Sequence, residues 1–217
     1  MVNLLEMPLR ASFDILMSHA HIKQVWRTAV QILGALLLLP LTASAGWISR
    51  SGQTMPDTDA SKSVGTFAAQ VVLVADEREL LKNWRTPSEA VDVHTIDKVG
   101  TNGFINAFVV FGGCKADTDG NCRVVMRFRV LKPDGGVYAE TREMEVWTGK
   151  PAPPGHSIEL SVDYLKIRIE PTDQLGRYVI QTQVKDENSA TEIQLKSPFV
   201  ASKPLRRRHR SQTLGSP

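Results

Sequence analysis

Aromatic residues are scarce in this chain. Phe, Trp and Tyr make up 6% of its 217 residues, so any core has to rest on Val, Ile and Leu with a few Phe. Cysteine is scarcer still, with two residues, which excludes a disulfide-dense scaffold and leaves too few soft ligands for a metal site. The 15 glycines and 12 prolines follow no period, which excludes a collagen-like chain. Catalytic signatures are missing too. There is no H-E-x-x-H, no G-x-S-x-G, no phosphate-binding loop and no Cys-His arrangement, so neither an enzyme nor a cofactor is expected.

A basic binding face is also lacking, despite a net charge of +3. Five cations sit in the tail Lys203-Pro-Leu-Arg-Arg-Arg-His-Arg210, and residues 46–202 carry 18 basic against 21 acidic side chains. The body is therefore mildly acidic, and specific nucleic-acid binding is not expected. Residues 201–217 read as a disordered basic tail.

The strongest address lies at the N-terminus. Val30-Gln-Ile-Leu-Gly-Ala-Leu-Leu-Leu-Leu-Pro-Leu41 follows Lys23 and Arg27 and precedes Thr42-Ala-Ser-Ala45, the basic, apolar, A-x-A order of a signal peptide. Residues 1–45 are read as that leader. From Met17 it has 29 residues, within the usual range of roughly 15 to 30, which makes Met17 the better start. The rival is a retained anchor over residues 29–48, enough apolar chain to cross a bilayer. Either way the remainder lies beyond the membrane, periplasmic or extracellular, in an oxidising compartment.

Residues 46–65 read as a flexible linker, polar and without periodicity. Thr66–Val74 is the first strand candidate. Asp76 followed by Glu79 is a capping box, and Leu80, Leu81 and Trp84 give one short helix its apolar face. From Phe104 onward strands recur about every ten residues. Ile105–Phe111 is one. Arg123–Val130 places Val124, Met126, Phe128 and Val130 on one face and Arg123, Arg127 and Arg129 on the other. Pro133-Asp-Gly-Gly136 turns into Val137–Trp147; Leu165–Ile169 alternates; Gly176–Val184 puts Tyr178, Ile180, Thr182 and Val184 on one side; Ala190–Leu195 and Phe199-Val200 close the unit. The expected fold is mainly β: an immunoglobulin-like antiparallel β-sandwich over residues 66–200 with one short N-terminal helix, a closed barrel being the alternative.

Within Cys114–Val200, Gly-Cys114, Gly-Asn-Cys122, Lys132-Pro-Asp-Gly-Gly136, the Trp147–Pro154 run, Ile169-Glu-Pro171, Leu175-Gly-Arg-Tyr178 and Pro198-Phe-Val200 resemble a group of secreted bacterial proteins of unassigned function. The C-terminal pattern is similar to immunoglobulin-like and macroglobulin-type extracellular modules. That resemblance implies a β-sandwich and supplies no catalytic residues.

Cys114 and Cys122 flank a turn-forming loop between two strand candidates, and in an oxidising compartment a disulfide is the expected state. Asp117, Asp119 and Asn121 around Gly120 invite a calcium reading, but an EF-hand register would place Lys115 and Met126 where acids are needed. His94 beside Asp92 and Asp97 could form an oriented base, the basis of a rival reading as an exported enzyme. Glu140, Glu143 and Glu145 read as a solvated strand face. Trp147, Lys150 and Pro151 are the partner-binding candidates, because a proline-rich segment beside a Trp suits recognition; a rigid crossover between sheets is the plainer reading. The expected function is a non-catalytic exported module. Its partner would be a protein or envelope component, and it would meet a membrane only if the N-terminal segment is retained.

Overall fold

The computed structural model describes residue 47 and residues 53–85, 93–155 and 157–203. The leader and anchor readings, Asp92, most of the basic tail and the other histidines fall outside these residues. The described chain forms β1 (Ser61–Val64), β2 (Phe67–Val74), α1 (Glu77–Arg85), β3 (Lys98–Gly100), β4 (Phe104–Gly112), β5 (Asn121–Leu131), β6 (Val137–Glu140), β7 (Met144–Pro151), β8 (Ile158–Leu160), β9 (Leu165–Arg168), β10 (Gly176–Asp186) and β11 (Thr191–Ser202).

The strands make two sheets. One runs β1-β2-β4, with β8 and β9 sharing the far side of β4; the other runs β3-β11-β10-β5, with β6 and β7 sharing the far side of β5. Every pairing is antiparallel except β3 with β11. The fold is a mainly β, immunoglobulin-like sandwich with one short helix, as the strand periodicity implies. Between the sheets, Phe67, Val71, Ile105, Val109 and Phe111 meet Val124, Met126, Phe128, Ile180, Leu195 and Phe199. The alternation expected of Arg123–Val130 and Gly176–Val184 is observed, since the named apolar side chains are all buried and the arginines exposed.

The middle strands of the five-stranded sheet, β2 and β4, are buried on both faces. Val72, Val74, Phe108, Val110 and Leu160 form a second apolar cluster with Leu80 of α1, flanked by Leu81, Trp84, Trp47, Val93 and Tyr164. Tyr164 stacks on Phe108 at 4.3 Å. The nearly unbroken apolar runs of β2 and β4 are what two-sided burial requires. Helix α1 is placed by its cap: Asp76 Oδ1 accepts the amides of Arg78 (2.8 Å) and Glu79 (3.3 Å), offsetting two of the unpaired donors at a helix start. Glu79 turns its carboxylate to His94 Nδ1, 3.1 Å away.

Three boundaries differ from expectation. The linker is shorter than residues 46–65, because Ser61–Val64 pairs with β2 through a two-residue turn at Gly65-Thr66. Gly65 sits at φ +61°, the conformation a tight hairpin assigns to glycine. Asp57 Oδ1 accepts the Ser63 amide (3.1 Å), and the Met55 amide donates to the Trp47 carbonyl (2.6 Å). Val137–Trp147 is two strands, because Thr141 interrupts the ladder: its hydroxyl accepts the Phe128 amide at 3.0 Å. The last strand is continuous to Ser202 despite Pro198. On β11 the amides of Lys196 and Val200 point away from β10, to the carbonyls of Asp59 and Asp97. Pro198 lies between them in the same orientation, so the amide hydrogen it lacks is one that the β10 ladder does not use.

Candidate functional site

One end of the sandwich is tied together by three connections. Cys114 and Cys122 are bonded, with Cα atoms 6.1 Å apart, inside the range a disulfide spans. This closes the loop between β4 and β5. Within it Asp117 Oδ1 accepts the amides of Asp119 and Asn121, both at 2.9 Å, so the oxygen of the calcium reading is engaged by the turn itself. Among the described residues no three His, Cys, Asp or Glu side chains gather as a metal-holding group.

The second connection comes from the β10–β11 turn. Asp186 is fully buried at the end of β10. Its Oδ2 accepts the Lys115 amide (2.9 Å) and the Ser189 hydroxyl (2.7 Å), and its Oδ1 the Asn188 amide (3.2 Å). Asn188 Nδ2 then donates to the carbonyls of Lys115 (2.9 Å) and Asn121 (3.0 Å). The sequence did not point to this tie. A buried-side position at the end of an alternating strand was the available signal, but the partner loop 71 residues away was not legible.

The third connection holds the predicted binding residues. Trp147 is half-buried and rests against Phe111, ring centroids 6.0 Å apart. Its Nε1 donates to the Pro151 carbonyl at 3.0 Å, and Lys150 Nζ lies 5.4 Å from its ring centroid. Trp147, Lys150 and Pro151 are therefore brought together, with Gly149 at φ +64° between them. Lys150 is ion-paired with Glu145. That ammonium holds the Glu145 carboxyl below its ordinary value, against the opposing effect of burial and with help from the Thr148 amide. The Ala152 amide donates to the Gly120 carbonyl (3.0 Å), joining the segment that crosses from β7 in one sheet to β8 in the other to the disulfide loop. The crossover reading of the proline-rich run describes this path.

The residues of the rival catalytic readings are dispersed. His94 meets Glu79, not Asp97, whose carbonyl instead receives the Val200 amide. Glu143 pairs with Arg127 (3.1 Å), Glu145 with Lys150, and Glu140 faces Arg129 across the β5–β6 ladder. A cleft of 110 Å³ lies beside His94, Glu79 and Leu80, and one of 160 Å³ beside Arg127, Gln183 and Glu192. Both are well below the roughly 300–1,000 Å³ of small-molecule pockets.

No protein family matches the chain, and no curated protein does. Among solved structures it is similar to a family 123 glycoside hydrolase from Clostridium perfringens, at 9% identity over 63% of this chain and 28% of that one, with a TM-score of 0.34. The chain thus spans little more than a quarter of that enzyme. It is also similar to a CARDB domain from Pyrococcus furiosus solved with di-metal ions, at 14% identity over 69% of this chain and 100% of that one, with a TM-score of 0.32. Likenesses this distant say nothing of activity.

Proposed function

We propose that this chain is an exported, non-catalytic β-sandwich module that binds a protein or envelope component of the periplasm or cell surface. The observation that carries the reading is the end of the sandwich where the Cys114–Cys122 disulfide, the Asp186 tie and the Trp147–Pro151 corner are cross-connected. A loop cluster held this way loses little conformational freedom on binding, which favours recognition. Export is supported by the leader-like N-terminus and by a disulfide, a bond that persists in oxidising compartments. The resemblance to secreted bacterial proteins supports it as well.

The test is to express the full chain in bacteria and fractionate the cells. Mass spectrometry is expected to find Gly46 as the first residue of the recovered protein, and alkylation of the native protein to find no free thiol. A photo-crosslinker at Lys150 is expected to capture an envelope component, whereas one at Val64 is not. Cytosolic protein with two labelled thiols would overturn export. A product that keeps residues 29–48 and stays in the membrane would replace the soluble module with an anchored one.

A further inference from the structure

The outer face of the six-stranded sheet divides into two halves of different character. In register, Val137 of β6, Leu131 of β5, Val179 of β10 and Pro198 of β11 lie side by side across four strands. Val200 continues the row two residues on. All five are at least partly exposed, with Val137 at 44% and Val200 at 36%. These positions point away from the core, since Tyr138, Val130, Tyr178 and Phe199 between them point into it. On one side of the stripe stand Arg129 and Lys196, with Gln181 between them; on the other stand Arg177 and Lys98, the latter opposite Val200.

None of these four cations has a carboxylate within ion-pair distance among the described residues. The other half of the same face is different. There Arg127 is paired with Glu143, and Arg123 and Lys185 both with Glu187. Glu192 accepts hydrogen bonds from Gln183 and Gln194, which with Lys185 hold its carboxyl below the ordinary value. Three acidic residues border the stripe, Glu140 opposite Arg129, Asp97 next to Lys98 in sequence and Asp59, whose carbonyl receives the Lys196 amide, so four cations stand against three acids.

We propose that this stripe is a docking surface for a protein segment that presents an apolar ridge flanked by carboxylates on both sides. An apolar strip rimmed by charge marks interaction surfaces, and unpaired cations on both margins select acids at matching positions. With strands about 4.8 Å apart the row is about 14 Å long, the rise of about nine residues of helix. An anionic bilayer fits less well. Lying flat on the sheet, it would press Glu143, Glu145 and Glu192 against its headgroups, and the stripe has no protruding aromatic side chain to enter the interface.

The proposal rests on the reading of the chain as a binding module, but the two fail separately, because this test is made on purified protein and uses neither export nor capture at Lys150. The full chain is titrated against a labelled amphipathic helical peptide with Leu along one face and Glu on both flanks. The same peptide with Lys in place of Glu, and phosphatidylglycerol vesicles, are titrated in parallel. The acidic peptide is expected to bind in a salt-sensitive way. Its affinity should fall by about tenfold or more in Arg129→Glu/Lys196→Glu and in Val179→Asp, and stay unchanged in Lys62→Glu on the opposite sheet. Circular dichroism checks that each variant is folded. Equal binding of the two peptides, indifference to the stripe variants, no binding, or binding of vesicles without the peptide overturns the proposal.

Discussion

Replacing Asp186 by Ala tests how the loop end of the sandwich is held. The carboxylate is buried and accepts three hydrogen bonds, two near 2.8 Å from Lys115 and Ser189 and a longer one from Asn188. Hydrogen bonds to a charged acceptor contribute about 1.5–3 kcal/mol each. The Ser189 hydroxyl can turn to water, and the Asn188 bond is long. The half-buried Lys115 amide therefore dominates, and removing a buried carboxylate returns part of its desolvation cost. A net loss of about 2 kcal/mol is expected, equivalent to a fall in Tm of about 4–8 °C for a chain of this size. Removing the disulfide as Cys114→Ala/Cys122→Ala opens a loop of sequence separation 8 and costs about 2.5 kcal/mol on the chain-entropy relation. Both changes free the same loop, so their combination should differ from the sum by at least about 0.5 kcal/mol. Urea unfolding of the four proteins, followed by far-ultraviolet circular dichroism, provides the comparison. A loss below about 1 kcal/mol for Asp186→Ala, or strict additivity, would refute the account of a shared clasp.

On the same strand, two neighbouring core positions should respond oppositely. Ile180→Ala leaves a cavity in the core and should cost about 2–5 kcal/mol. Thr182→Val should be neutral or stabilising by up to about 1 kcal/mol, because the buried hydroxyl has no hydrogen-bond partner among the described residues; denaturant midpoints measure both. Gly113 has φ +68°, and a Cβ there would stand 1.9 Å from the Thr66 carbonyl oxygen. Gly113→Ala should therefore lose at least about 2 kcal/mol, read from a thermal melt. Burial, then the hydrogen bond to Asp173 at 2.8 Å, push the Tyr138 hydroxyl well above the usual tyrosine value. The folded state then keeps a proton that the unfolded state gives up near pH 10. Stability should be level below about pH 10 and fall above it, less steeply in Tyr138→Phe; melts across alkaline pH, with absorbance at 295 nm, follow it.

The sequence by itself carried the alternating strands, because a side-chain period of two needs no knowledge of neighbours. Val124 to Val130 and Tyr178 to Val184 could be assigned to the core one strand at a time. The capped helix at Asp76 and the cysteine pair were equally local, a matter of short spacing and turn-forming residues. Where strand ends depended on another segment, the sequence was silent. Ser61–Val64 is polar and becomes a strand only because β2 lies beside it; Thr141 divides β6 from β7 only because Phe128 supplies an amide. The two-sided burial of β2 and β4 required a helix to fold back over them, although their unbroken apolar runs were in view. Tertiary structure alone decided the partners of Asp186 and the apolar row of Val137, Leu131, Val179 and Pro198. Each row member looks unremarkable in its own strand, and only the register of four strands, set by side chains on the opposite face, aligns them into one surface.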